Sequence, residues 1–167
     1  MCRLLFAVYF DFDDIRCRII SVTYIKEIMA VRWLNTYNTG VDEIDRQHRR
    51  ITEYLIQLDT HIKSGVYSGY DVELLMELLY EYLKLHFHVE ENFLNSIACP
   101  IGEKNKIDNE KILNSIVEFN SEYFNSSVVI EKKKLVIELQ KTLEEWLMTH
   151  LCRMDLSLKN CRNCNMS

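Results

Sequence analysis

Apolar positions recur along four stretches of the chain at alternating spacings of three and four, the pattern of helices that each turn one side to a core. The first seam is Ile44, His48, Ile51, Leu55, Leu58 and Ile62, and the second is Leu75, Leu79, Tyr82, His86, Val89, Phe93 and Ile97. Ile101, Asn105, Asn109, Ile112, Ile116, Phe119 and Tyr123 form the third, and Val136, Leu139, Leu143, Trp146 and His150 the fourth. The first helix is predicted to begin at Thr39-Gly40 and to end at the turn Ser64 to Gly69. Ser68-x-x-Asp71 has the form of a capping box opening the second, and Ala98-Cys99-Pro100 breaks it near Ile97. The third ends at Asn125-Ser126-Ser127, and the fourth runs from about Val128 to Met154 and Asp155. Short connections make successive helices antiparallel, so the expected fold is all-α, an up-down-up-down four-helix bundle.

Composition agrees with helices. Four Gly and one Pro in 167 residues leave too few turn formers for many short strands. With 48% apolar and 27% charged residues, the chain can bury one core. A net charge of −5 is a poor match for nucleic acid, since no basic patch stands ready to neutralise phosphates, and Lys132-Lys133-Lys134 reads as a solvated helix face. No stretch approaches the roughly 20 apolar residues that span a bilayer. The run Leu4 to Phe10 lacks the form of a signal peptide, so the expected location is cytoplasmic, without a membrane partner. The six cysteines are then expected to be free thiols, and Cys161-x2-Cys164 to lie in a frayed tail.

Residues 1–28 differ in character, mixing an apolar run, an acidic cluster and a β-leaning segment with no partner strand. They are expected to be an N-terminal extension that adds nothing to the core, with Met29 opening the folded part. The expected organisation is an extension over 1–28, a bundle over 29–156 and a C-terminal tail over 157–167. A chain starting at Met29 should then melt like the full one.

The unusual feature is what occupies the seams. His48, His86, His150 and two amides, Asn105 and Asn109, sit where leucines would be expected, and Glu90 follows His86 by four, on the same side of its helix. A lone histidine on an apolar seam is more often a hydrogen-bonded core residue than a ligand. In an antiparallel bundle, however, the early first helix, late second, early third and late fourth share one end, so all these residues meet at one level. That convergence points to a metal site in the core. His61, His88, Asp108 and Cys152 read as structural or solvated, and Phe87, Trp146 and Leu147 as walls of the pocket.

Trp33, then Gly40-Val41-Asp42-x-x-Asp45-x-Gln47-His48, His86-Phe87-x-x-Glu90-Glu91, Pro100 and Trp146-Leu147-x-x-His150-x4-Asp155 follow one another in an order that resembles the hemerythrin family, in particular the bacterial hemerythrins. The resemblance implies a four-helix bundle around non-haem iron, with two ions bridged by a Glu, an Asp and an oxygen atom, that binds dioxygen for carriage, storage or sensing rather than catalysing a reaction. By that resemblance His48 and His86 hold the iron that meets dioxygen, Glu90 and Asp155 bridge, and His150 binds the second iron. Two further histidines of the family fall on Asn105 and Asn109, so the diiron site is incomplete and one ion is expected. An amide oxygen is a weak, hard donor for Fe(II). Positions five apart differ by about 140° on an α-helix, so joint use of His150 and Asp155 requires a wider, π-type turn there. A metal-free bundle that binds a protein partner is the second expectation, and an iron oxygenase the third.

Overall fold

The computed structural model describes residues 37–164 and, within the last helix, only the backbone of 153–157, 159, 160 and 162–164. Residues 1–28, and Trp33 with them, lie outside the described residues. Four helices follow in order: α1 (Asp42–Lys63), α2 (Tyr70–Ser96), α3 (Gly102–Asn125) and α4 (Val129–Cys164). Helices α1 and α3 each pack against both α2 and α4, which makes an all-α four-helix bundle. Its main core runs from Ile51, Leu55 and Leu58 through Leu79, Leu83 and Ile116 to Leu143 and Leu147. No helix among the described residues is long and apolar enough to cross a membrane.

Helix α1 starts two residues later than the pattern suggests, because Thr39 and Gly40 are used to enter it. Both the amide and the hydroxyl of Thr39 donate to Asp45 Oδ1, at 2.7 and 2.8 Å, and the Gly40 amide donates to Oδ2 at 3.3 Å. Gly40 has φ +80°, which an L side chain rarely adopts, and Asp45 is buried. At its far end, Gly65 lies at φ +77°, and its amide and that of Val66 donate to the Ile62 and His61 carbonyls. This is a Schellman turn closed by the residue type it favours.

The capping box at Ser68 does not form. Gly69, at φ +108°, is the residue before α2, and no side chain caps that end. Ser68 is therefore one position too early to act as the cap. The buried stripe of α2 also differs from the predicted seam: Leu79, Leu83, His86, Phe87, Glu90 and Leu94 are buried, whereas Tyr82, Val89, Phe93 and Ile97 are half-buried at its edge. A helix held between two neighbours buries a wide stripe, and the charge of Glu90 hid its centre from a reading by hydropathy. Helices α3 and α4 follow their predicted seams closely, with Asn105 and Asn109 as buried as the leucines around them.

The end of the bundle departs most from expectation. Helix α4 continues as an α-helix to Cys164, with no wide turn at residues 150–155. Cys161 is buried and forms a disulfide with Cys99, the Cα atoms 5.5 Å apart, which corrects the expectation of free thiols for this pair. The Schellman turn after α2, in which Cys99 N donates to Leu94 O and Ala98 N to Asn95 O, brings Cys99 to that position. Leu94, Cys99, Leu158 and Cys161 form a small second core. That packing explains why α4 runs on: each added turn satisfies its own backbone and buries an apolar side chain. Cys161→Ser is expected to lower stability by roughly 2–4 kcal/mol under oxidising conditions, the usual range for closing a loop of this kind. Denaturant unfolding of both proteins, with and without reductant, checks this. An equal stability under oxidising conditions would remove the crosslink from the fold's support.

Candidate metal centre

His48 comes from the second turn of α1, His86 and Glu90 from the later part of α2, and His150 from α4, and all four are at most 1% exposed. One ligand atom from each lies within 4.8 Å of every other. The imidazoles meet edge to face, with ring centroids 4.6 Å apart for His48 and His86, 5.2 Å for His48 and His150, and 5.6 Å for His86 and His150. Residues 48, 86, 90 and 150 of the expected set are thus brought together. The Asp155 side chain lies outside the described residues, and its backbone stands about 140° round a regular helix from His150.

Hydrogen bonds orient the groups. His86 Nδ1 is 3.1 Å from Gln47 Oε1, an acceptor, so Nδ1 carries the proton and Nε2 presents its lone pair to the cluster. Gln47 is itself held by Glu43, to which its Nε2 donates at 2.7 Å. Glu90 Oε2 accepts from Asn105 Nδ2 at 2.6 Å and from Asn109 Nδ2 at 3.1 Å. Its other oxygen, Oε1, is 3.1 Å from His150 Nε2. His86 Nε2, His150 Nε2, Glu90 Oε1 and Asn109 Oδ1 are buried without a hydrogen bond of good geometry. Buried polar atoms without well-made hydrogen bonds cost roughly 1–3 kcal/mol each, so the convergence of His86 Nε2, His150 Nε2 and Glu90 Oε1 marks a place for a cation.

The electrostatics agree. Burial pushes the His86 imidazole down to about 4, against the attraction of Glu90 and with the help of His150. Burial likewise lowers His48 well below its usual range, and His86 and His150 add to it. For Glu90, burial alone would raise the carboxyl, but His150, His86 and the Asn105 amide outweigh it and hold the group below the usual range. Neutral imidazoles beside an ionised carboxylate are the protonation states that metal ligands need. Three imidazoles and one carboxylate oxygen suit iron and its divalent neighbours, and a cation there would satisfy the lone pairs that the protein leaves open.

Around the cluster, the Trp146 ring stacks on His150 at 4.9 Å and meets Phe87 at 5.4 Å, forming the apolar wall expected of those residues. The other candidates stand apart: His88 is exposed and contacts Asn92, and Asp108 pairs with Lys111. Gln47 was visible in the sequence motif without a role, and its signal was only its place beside His48. The amide contacts of Asn105 and Asn109 with Glu90 had no signal beyond their seam positions.

Similarity to known proteins bears on the same residues. The chain is 25% identical to the bacteriohemerythrin of Clostridium acetobutylicum over 126 residues, 74% of this chain and 94% of that protein. It is 26% identical to that of Stenotrophomonas maltophilia and 27% to that of Pseudomonas paraeruginosa, each over 119 residues, 71% of this chain and 72% of the relative. No solved structure matches it significantly. The Hemerythrin HHE cation binding domain matches residues 39–160, a span that contains all four helices' site residues and well over half of the 167. The chain belongs to the hemerythrin family.

Proposed function

We propose that this chain is a non-haem iron protein that holds iron in the core of its bundle, at the cluster of His48, His86, Glu90 and His150, with dioxygen as the small molecule that meets it. The observation that carries the reading is the convergence of those four buried side chains, with His86 Nε2 and Glu90 Oε1 unsatisfied by the protein. Membership of the hemerythrin family supports iron as the ion. Iron there would act as a Lewis acid and electron donor toward a diatomic ligand. The chain supplies a buried, apolar-walled pocket that excludes water, and burial favours the neutral imidazoles of His48 and His86. The family divides its reversible dioxygen chemistry between two irons, and a single ion offers only half of that capacity. Asp155 joins the ligands only if the helix changes its winding near residue 155. The proposed location is cytoplasmic.

A metal-free module that binds a protein partner is the second reading, favoured by one observation: the Asn105 and Asn109 amides already satisfy half of the Glu90 carboxylate. Metal analysis separates the two. Protein purified without oxygen and loaded with Fe(II) is expected to retain about one iron per chain after desalting. Retention of none would leave the metal-free module.

A further inference from the structure

We infer that Asn105 and Asn109 replace the second ion of the family's site with hydrogen bonds, and that His150 is thereby a ligand of the same single ion as His48 and His86. This rests on the reading of the core as an iron site and adds its architecture.

One oxygen of Glu90 is already taken by the two amides. An ionised carboxylate can only accept hydrogen bonds, so both amides must present their N–H groups to Oε2, at 2.6 and 3.1 Å. Two donors occupy the lone pairs through which Oε2 would bridge to a second cation. A cation placed there would also meet two inward-pointing amide hydrogens. What remains is Oε1, which no amide holds and which faces His150 Nε2 at 3.1 Å. Glu90 is thus prepared to bind one ion through one oxygen.

His150 stands beside the other oxygen of Glu90. Donors at about 2.1 Å from one ion stand about 3.0 Å apart when adjacent and about 4.2 Å apart when opposite. His150 Nε2 lies 3.1 Å from Glu90 Oε1, the separation of adjacent ligands on one ion. The whole set of four lies within 4.8 Å, close to the separation of opposite donors, so small side-chain movements can bring all four to one centre. Four protein donors leave one or two positions open for a small exogenous ligand. Asn105 and Asn109 are positioning residues here, acting through the Glu90 carboxylate.

The full chain loaded anaerobically with Co(II) tests this, because cobalt reports coordination through its visible d–d bands and through X-ray absorption. The natural chain is expected to hold one Co(II) with three imidazoles in its first shell and no neighbouring metal. His150→Ala should lower affinity at least ~10-fold, a loss that even outer-shell changes can produce, and should remove one imidazole from the count. Asn105→Ala with Asn109→Ala should keep all three imidazoles, but frees Oε2 to chelate, so the d–d bands should weaken as the coordination number rises. A natural chain with two imidazoles per ion, or with a second metal nearby, would overturn the inference and leave the iron reading standing. Failure to bind any ion would overturn both. If His150→Ala does not fold, the imidazole count of the natural chain decides alone.

Discussion

Replacing Asn105 and Asn109 together by histidine is expected to raise bound iron from about one ion per chain toward two, and to bring in strong visible absorption on exposure to air. Both residues are buried on one side of α3, at 7% and 1% exposure, four positions apart, and both reach the same carboxylate oxygen. Imidazoles there would withdraw the amide donors from Glu90 Oε2 and supply two nitrogen ligands, far better suited to Fe(II) than an amide oxygen. The carboxylate could then bridge. Iron content after anaerobic loading, and the spectrum before and after admission of air, are the measurements. A natural chain that already holds two irons and absorbs strongly in air would mean that the asparagines are tolerated ligands. A double variant that folds but still holds one iron would show that the second position needs more than those two donors.

The loss of His86 should be the most damaging single change to metal binding. Its Nε2 is one of the four converging donors, and its ring is locked by Gln47, itself locked by Glu43. His86→Ala removes a ligand, opens a cavity and strands the Gln47 carbonyl oxygen in a buried position. Outer-shell changes alone commonly cost 10–100-fold in affinity, so loss of this ligand should exceed ~100-fold and leave no iron after desalting. Gln47→Ala, which keeps the ligand and releases only its orientation, should fall within that 10–100-fold range. Helicity measured on both variants distinguishes lost binding from lost fold. Iron retained by a folded His86→Ala protein would move the site away from α2.

The helices, their order and the level at which the polar residues meet were legible in the sequence, because helix periodicity and short connections depend only on local spacing. Asn105 and Asn109 show this best: their seam positions alone placed them in the core beside His48, His86 and His150, and they are there. The winding of α4 near Asp155 was not legible. It follows from the Cys99–Cys161 disulfide and the small core around Leu158, contacts between residues about sixty positions apart that no local pattern carries. The division of labour within Glu90 was equally hidden. Sequence spacing determined that this carboxylate would face the histidines, but only tertiary packing decided which oxygen the amides would hold and which would be left open. Those distances depend on how α2, α3 and α4 approach one another, and the free energy of burying a charge is set by such distances rather than by residue type.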